Sequence, residues 1–430
     1  MTTQGGKPQG DSAIAGGFQR RFERTDPLAA RLAVGQGLLA GLGLLLAIAL
    51  AAPVSAGEWT GFVGLEWRGF ASDGSAPGQE RHEGSLTLEP EFFHEWEEGR
   101  QRIVVRPFAR LDSADDERTH VDLREFYWQR IGDGWDLEIG VRKVFWGVAE
   151  SLHLVDILNQ TDLVEDLDGE DKLGQPMIRV RLSRSWGLLE VFLLPGFRER
   201  TFPGADGRLR TPIPVDTDRP LYESSAEDGH VDGAIRWSHV LGDVDLGLSY
   251  FRGTSREPNL VFGLEPSGPT LRPFYPQIDQ FGLDLQATRG AWLFKLEAIS
   301  RWSDLEDHLA AVGGFEYTFF DVAGRGPDIG VLAELLWDER GATAITPFAE
   351  DLFIGSRVAL NDVQSTEFLL GGVLDLDNGS LFLNLEASRR LGSRWELELR
   401  GRAFTDVDPT DRLFPLENDD YLQLGLRFYF

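Results

Sequence analysis

The chain lacks cysteine altogether, holds two methionines and has few lysines. Without a thiol it can form no disulfide framework, no zinc–cysteine site and no cysteine nucleophile. Positive charge is also scarce, with 42 Lys and Arg against 70 Asp and Glu and a formal net charge of −28. A nucleic-acid partner is therefore not expected, because a phosphate backbone is bound by a positive surface. The basic residues are nearly all arginine, the residue suited to fixed bidentate contacts with carboxylates, so many charges should have partners inside the structure.

Long apolar runs are missing except near the start of the chain. Four arginines precede the apolar stretch 38–50, and the small residues Val54, Ser55 and Ala56 follow it. A basic region, a short apolar region and a cleavage site of small residues predict a secretory signal peptide over 1–56, cleaved near Ala56. An N-terminal membrane anchor is the alternative, but the apolar stretch is short and interrupted by glycine. Residues 57–430 are then one exported domain, with no later stretch long enough for a spanning helix.

The last ten residues alternate strictly between apolar and other side chains. Leu422, Leu424, Leu426, Phe428 and Phe430 are apolar, and Gln423, Gly425 and Arg427 lie between them. This period of two predicts a strand with one apolar face. A strand that ends in phenylalanine resembles the assembly signal of bacterial outer-membrane β-barrels, and we assign Phe428 and Phe430 to that role.

The same alternation recurs along the whole of 57–430. A soluble β-sandwich would also alternate, but tryptophan and phenylalanine cluster at the ends of the segments, as in the aromatic girdles of membrane barrels. We therefore predict an all-β fold, a transmembrane antiparallel β-barrel. Eighteen strands are expected, with sixteen as the fallback, at 59–70, 84–96, 101–112, 121–130, 136–146, 175–183, 188–200, 230–240, 243–254, 277–288, 292–302, 308–319, 328–338, 352–361, 366–375, 380–390, 395–404 and 421–430. Short connections alternate with long ones, which predicts periplasmic turns and external loops.

A barrel of sixteen to eighteen strands leaves an aqueous lumen, and the inward residues of these strands carry charges of both signs. Structural ladders of opposite charge on neighbouring strands are one interpretation. A path for anionic solutes along unpaired arginines is the other. The arginines expected to line the channel are Arg102, Arg106, Arg110, Arg124, Arg142, Arg179 and Arg181.

The loop 147–174 is the strongest candidate for a functional element. Leu152, Val155 and Leu158 recur at a spacing of three, which predicts a helical turn or two. Apolar residues in a solvated loop need burial, and folding into the barrel mouth would supply it. We expect a constriction there, with the loop residues facing the arginines of the third, fifth and sixth strands. The constriction residues expected from the loop are Glu150, His153, Asp156, Asn159 and Asp162.

Three segments carry a resemblance to a known family. They are 122–128 (Asp-Leu-Arg-Glu-Phe-Tyr-Trp), 140–147 (Gly-Val-Arg-Lys-Val-Phe-Trp-Gly) and 156–162 (Asp-Ile-Leu-Asn-Gln-Thr-Asp). An arginine-rich strand that runs into Trp-Gly and an Asp-x-x-Asn-x-x-Asp loop resembles the alginate-export-type and related porin-like outer-membrane barrels. The match covers about forty residues and departs where such families have Asn-Pro, since Gln160 follows Asn159 here. The resemblance implies a passive eighteen-stranded conduit and does not fix its solute.

The sequence thus predicts a porin-like channel in the outer membrane of a Gram-negative cell, which passes small hydrophilic solutes; a preference for anionic solutes is one alternative. Outer-membrane lipids, lipopolysaccharide and the barrel-assembly machinery are the expected partners, and no cofactor or metal is expected. An outer-membrane lipid-modifying enzyme is the first alternative, but Ser151 and His153 form the sole close Ser/His pair in that loop, and two residues apart on a helix they would not face each other. A structural or adhesive barrel with acidic loops is the second. The spacing of those acids fits no twelve-residue calcium loop.

Overall fold

A computed structural model describes residues 57–266, 268–324 and 326–430. The predicted signal peptide, residues 1–56, lies outside the described residues. Within the described part, no helix is both long enough and apolar enough to cross a membrane.

The described chain consists of strands joined by turns and loops, with three short 3-10 helices. The strands are β1 (Glu58–Phe70), β2 (His82–Trp96), β3 (Gln101–Asp112), β4 (His120–Gly132), β5 (Trp135–Arg142), β6 (Gln175–Arg184), β7 (Gly187–Pro195), β8 (Leu221–Tyr222), β9 (Val231–Leu241), β10 (Val244–Thr254), β11 (Asn259–Glu265), β12 (Gly268–Tyr275), β13 (Gln277–Arg289), β14 (Trp292–Ser303), β15 (His308–Phe319), β16 (Asp328–Asp338), β17 (Glu350–Ala359), β18 (Glu367–Asp375), β19 (Leu381–Leu391), β20 (Trp395–Thr405) and β21 (Tyr421–Tyr429). The 3-10 helices are Glu227–Gly229, Gly341–Thr343 and Phe414–Leu416.

Eighteen of the described strands form one closed antiparallel barrel. Strands β1–β7, β9, β10 and β13–β21 pair in chain order, each with the next. β1 also pairs with β21, from Phe62 opposite Tyr429 to Phe70 opposite Tyr421, and this pairing closes the ring. The predicted eighteen-stranded all-β barrel is therefore confirmed. In the described loops, β8, β11 and β12 form a separate small sheet.

The two faces of each strand follow the alternation read from the sequence. On β13 the ring of Phe281 is 54% exposed on the outer surface, whereas Gln280 and Asp284 are buried inside the barrel. Large apolar side chains are exposed in the same way on most strands. Apolar residues outside and polar residues inside are the reverse of a soluble protein and typical of a barrel that faces lipid.

The connections separate into two rims, as predicted. One rim carries the turns 97–100, 133–134, 185–186, 242–243, 290–291, 320–327, 360–366 and 392–394. The other carries the loops 71–81, 113–119, 143–174, 196–230, 255–276, 304–307, 339–349, 376–380 and 406–420. The tryptophans that begin β5, β14 and β20 all lie at the short-turn rim, where an aromatic girdle is expected.

Two strands end four or five residues before the predicted position. β5 stops at Arg142 and not at 146, because the side chain of Asn159 bonds the carbonyl oxygen of Arg142 and the amide of Val144 and so turns the chain inward. β7 stops at Pro195 and not at 200, and Gly196 follows with φ of +82°. A positive φ of this kind is accessible to glycine at little cost and ends the extended conformation.

Candidate functional site

Residues 143–174, called the inner loop from here on, lie inside the barrel. Near its start the loop contacts Glu297 on β14 and Glu334 on β16. Further along it contacts Arg110 on β3 and Arg402 on β20. Since β3 and β16 lie on widely separated parts of the ring, the loop crosses the lumen.

The apolar residues of the inner loop are buried against the inner wall of the barrel. Val155 and Leu158 have no exposed surface, and they belong to one cluster with Met177, Phe192 and Ile278 from the wall. Leu152 packs against a second cluster that includes Leu332 of β16. The burial that these side chains were predicted to need is thus supplied by strands whose inward faces are apolar at this level. That part of the lumen is filled.

The predicted helical turns are absent from the described inner loop, and the reason lies in the wall. Glu297, fully buried, accepts hydrogen bonds from the amides of Val148, Ala149 and Val155 at 2.7, 2.9 and 3.2 Å. Glu334 accepts from the amide of Glu150 and from both the amide and the hydroxyl of Ser151, the latter at 2.6 Å. Five of these six donors are backbone amides, and they are taken by carboxylates from other strands. The i−4 carbonyl groups of a helix cannot use them as well.

Asn159 ties the two ends of the inner loop together. Its Oδ1 accepts from the amide of Val144 at 2.8 Å, and its Nδ2 donates to the carbonyl oxygens of Arg142 and Leu173, both at 2.8 Å. The side chain is 1% exposed, so these three backbone groups have little access to water. A single amide can satisfy donors and acceptors together, which explains asparagine at this position.

Asp156 and His153 are held within the loop and by the wall. Asp156 Oδ1 accepts from the amide of Trp146 at 3.2 Å, and Oδ2 lies 3.2 Å from Lys172 Nζ. Burial raises the pKa of Asp156. Burial alone would lower the pKa of His153. The carboxylates of Glu170 and Glu297, at 3.6 and 3.8 Å, have a larger effect and raise this pKa to about 9. The imidazolium is therefore the form present at neutral pH.

The acidic stretch 162–168 pairs with arginines on several strands. Asp162 Oδ2 lies 2.6 Å from Arg124 Nη1 on β4, and Glu165 Oε2 lies 2.5 Å from Arg110 Nη2 on β3. On the far side, Asp166 and Asp168 contact Arg402 of β20 at 3.3 and 2.9 Å. Asp166 also pairs with Arg400. These contacts hold the loop to β3, β4 and β20.

The arginines predicted to face the loop have other partners. Arg142 contacts Glu125 and Glu138 of the wall, and Arg181 contacts Asp136 and Glu138. The remaining wall pairs are Arg106 with Glu89, Glu91 and Glu125, and Arg179 with Glu138 and Glu190. Arg102 lies opposite Glu95 in the sheet, and its Nε has no hydrogen-bond partner among the described residues. The basic wall on the third, fifth and sixth strands is thus a charge ladder within the barrel. Of the seven predicted arginines, Arg110 and Arg124 are the ones that bind the loop.

A cavity of about 910 Å³ remains between the inner loop and the inner faces of β1, β2 and β17–β21. Glu150, His153, Asp156 and Arg110 line it, whereas Asn159 and Asp162 do not. Its described carboxylates are Glu66, Glu89, Glu150, Asp156, Glu165, Asp168, Glu170, Asp171, Glu257, Glu367, Glu386 and Glu398. Its described cations are Arg110, Lys172, Arg200, Arg256, Arg301, Arg357, Arg400, Arg402, Arg427 and the imidazolium of His153.

Nearly every cation in the cavity is paired. Glu150 lies 2.7 Å from Arg357, and Glu398 lies 2.5 Å from Arg427. Among the described residues, Arg200 alone of these cations has no carboxylate oxygen within 4 Å. With twelve carboxylates against ten cations, the lining still has an excess of negative charge.

The described histidines, acids and serine of the inner loop and the neighbouring wall support neither a metal site nor a catalytic pair. His120, Asp162 and Glu165 bring ligand atoms within 4.8 Å of one another, but the two carboxylates already neutralise Arg124 and Arg110. A cation there would have to displace a guanidinium. Ser151 and His153, the pair that an enzyme hypothesis would use, have different partners: Ser151 bonds Glu334, and His153 faces Glu297 and Glu170.

The two residues assigned to an assembly signal lie where the barrel closes. The ring of Phe428 packs on Trp395 with centroids 4.9 Å apart. The amide of Phe430 donates to the carbonyl oxygen of Gly61 at 3.0 Å. Phe428 thus contacts β20 and Phe430 contacts β1, the two strands on either side of β21.

Comparison with known proteins gives a structural likeness and no sequence family. No family model matches the chain, and no curated protein matches it either. Solved structures similar to it include a triple mutant of Rhodopseudomonas blastica porin, at 11% identity and a TM-score of 0.43, and an engineered protein studied for asymmetric conductivity, at 10% and 0.41. Each likeness covers 87% of this chain and all of the other. A likeness at such low identity gives no information about the solute, and the resemblance to alginate-export-type barrels stays a prediction.

Proposed function

We propose that this protein is a porin-like channel of the outer membrane, through which small hydrophilic solutes diffuse passively. The observation that carries the proposal is a closed eighteen-stranded barrel whose lumen holds a charged cavity of about 910 Å³. A barrel of this size is too wide to be filled by its own wall side chains alone. Its outer surface carries exposed apolar residues, which favours lipid as the surroundings.

The inner loop is proposed to set the constriction. It is anchored to β3, β4, β14, β16 and β20, and it restricts the open space to one side of the lumen. A solute that enters must pass along β17–β21, between the loop and the wall. Ion pairs such as Glu150 with Arg357 border that path and expose it to charges of both signs.

The balance of charge favours cations over anions. An anion preference would need arginines free to bind solute, and the arginines of the cavity, apart from Arg200, already have carboxylate partners. The surplus of carboxylates over cations makes the local potential negative, and rings of acidic side chains select cations. We therefore propose weak cation selectivity in place of the anion path considered from the sequence.

Conductance in planar bilayers tests the proposal. The purified barrel should give ohmic single-channel steps, and its reversal potential in a salt gradient should have the sign of a cation-preferring pore. Arg357→Gln should shift that potential further toward cations, because it removes a charge from the path. Arg389→Gln is the matched control. The side chains of Arg389 and Arg357 are 42% and 43% exposed, and each has one carboxylate partner. Arg389, however, pairs with Asp362 in the turn 360–366 and does not line the cavity.

Two results would contradict this proposal. A barrel that never conducts, or that hydrolyses lipid, would remove the channel function. A reversal potential of the opposite sign would keep the channel and restore the anion path. A liposome-swelling series of sugars, amino acids and organic acids would then define the solutes. Outer-membrane lipids, lipopolysaccharide and the assembly machinery stay proposed partners, with cell fractionation as their test.

A further inference from the structure

Residues 196–220, called the strap from here on, cross the mouth of the barrel at the long-loop rim. The strap leaves β7, which is separated from β21 by the six strands β1–β6. It then contacts the loop 71–81, the loop 113–119 and the loop 406–420, which lie around β1, β3 and β21. On its return, Val215 bridges Leu271 of β12. Both passes of the strap thus run over the opening.

The strap lies on the outer side of the inner loop. Thr201 forms a parallel bridge with Asp162, and its hydroxyl donates to Asp162 Oδ1 at 2.6 Å. Gln160 Nε2 donates to the carbonyl oxygen of Arg198 at 3.3 Å. Val164 is 4% exposed beneath this part of the strap. Access to the inner loop from the long-loop rim is therefore covered.

One residue anchors the far end of the strap. The side chain of Arg208 has no exposed surface, and its Nε donates to Asp419 Oδ1 at 2.7 Å. Its Nη1 and Nη2 donate to the carbonyl oxygens of Ser72 and Asn418, both at 2.8 Å. The guanidinium also lies over the ring of Phe70, 4.1 Å from its centroid. One arginine thus fastens the strap to two loops on the other side of the mouth.

The anchor is strained as well as tight. Leu209 has a φ of +57°, a left-handed conformation that is costly for a bulky residue and persists only where the surroundings enforce it. Its side chain is 6% exposed in a cluster with Phe70, Phe404 and Leu416. Release of the anchor would relax the backbone of Leu209. The difference in free energy between the docked and released states is therefore smaller than the number of contacts implies.

We propose that the strap is a gate, closed in this structure, that opens the mouth when the Arg208 anchor detaches from the loops 71–81 and 406–420. The proposal rests on the channel function. It is distinct from the constriction, since the strap controls entry at the rim and the inner loop controls passage within the lumen. Strain at Leu209, complete burial of Arg208 and the crossing of the mouth are the three observations that support it.

The absence of cysteine from the chain makes a labelling test possible. Val164→Cys provides one thiol beneath the strap, and a membrane-impermeant maleimide reports how often the strap opens. Arg208→Ala in this background should speed labelling at least about tenfold, which corresponds to about 1.4 kcal/mol, less than one buried charge-assisted hydrogen bond contributes. Arg208→Lys should lie in between. Arg210→Ala is the matched control, because Arg210 bonds to Ala205, Thr211 and Pro212 of the strap itself.

A disulfide lock gives the converse test. A Cβ built on Gly207 lies 3.4 Å from the Cβ of Asp115, close to the separation of about 3.5–4.5 Å in disulfides. The double variant Asp115→Cys, Gly207→Cys should lose full openings in bilayers when oxidised and regain them on reduction, with each molecule as its own control. Equal labelling in the Arg208→Ala and parent backgrounds, or equal currents before and after reduction, would show that the strap is a fixed cover. If labelling responds and no variant conducts, the gate stands and the channel function falls.

Discussion

Replacing Glu334 with glutamine should detach the inner loop from β16 without unfolding the barrel. The carboxylate of Glu334 is 2% exposed and accepts three donors from Glu150 and Ser151. Glutamine has nearly the same size but only one acceptor oxygen. In either orientation its NH2 group would face the backbone amide of Glu150 or Ser151, which can only donate, and that hydrogen bond would be lost.

The size of the effect follows from the charge on the acceptor. Hydrogen bonds to charged groups contribute about 1.5–3 kcal/mol each, and such contributions are not fully additive. Loss of one to two of the three bonds should therefore weaken docking of the segment 148–155 by about 2–4 kcal/mol. Since 1.4 kcal/mol is tenfold, the ratio of docked to released loop should fall by roughly 30- to 700-fold.

Single-channel recording measures that ratio directly. The Glu334→Gln barrel should show frequent transitions to a larger conductance, while the parent stays in the smaller one. Glu316→Gln is the control, because Glu316 is also on the inner wall, and its side chain forms no hydrogen bond or ion pair with the described residues. Its replacement removes the same charge from the wall without touching the loop. Identical currents in the two variants would refute the anchoring role of Glu334, and with it the loop as the constriction.

Three further outcomes are expected. Asn159→Ala leaves three buried backbone groups unpaired and should cost about 2–4 kcal/mol, seen as a lower temperature for loss of the folded, heat-modifiable band; an unchanged temperature would contradict this. The charge on His153 stabilises the inner loop fully below the ordinary pKa of histidine near 6.5, and this stabilisation is lost as the pH rises through about 9. Current noise should therefore increase by pH 10 in the parent and stay independent of pH in His153→Gln. Burial raises the pKa values of Asp168 and Asp171, which both line the cavity, to about 6. Cation selectivity should therefore fall from pH 7 to pH 5. The double variant Asp168→Asn, Asp171→Asn should abolish that dependence, and the same dependence in the variant would assign it to other groups.

Period-two alternation was sufficient to predict the barrel, because every strand has one face outside and one inside. Each of the eighteen predicted segments overlaps a strand of the ring. Errors occurred at Arg142, where the side chain of Asn159 ends β5, and at Pro195, where the positive φ of Gly196 ends β7. The small sheet of β8, β11 and β12 was not predicted, since its strands lie in two long loops and β8 has only two residues. Local pattern does not report such pairings.

The inner loop shows the opposite limit. Its apolar residues predicted burial, and the structure buries Val155 and Leu158 completely. Its conformation could not be predicted, because Glu297 and Glu334, more than a hundred residues away, take the amides that a helix would use. Its arginine partners on β20 were also missed. Alternation assigns Arg402 to the inner face but cannot say which inward residues meet across the lumen.

The scarcity of lysine is explained by how charge is used inside the barrel. Arg402 contacts Asp166 and Asp168 of the inner loop and Glu386 of β19. A planar guanidinium with five donors can join three acceptors in fixed directions, whereas an ammonium group on a flexible stem cannot hold them in one geometry as well. Arg118 does the same at the other wall, with bonds to Glu66, to Asp112 and to the carbonyl oxygen of Val164. Charged side chains that connect the loop to the wall are not free to bind a solute as well. The cation selectivity that we propose would therefore come from the few charges without a partner, and these are mainly carboxylates.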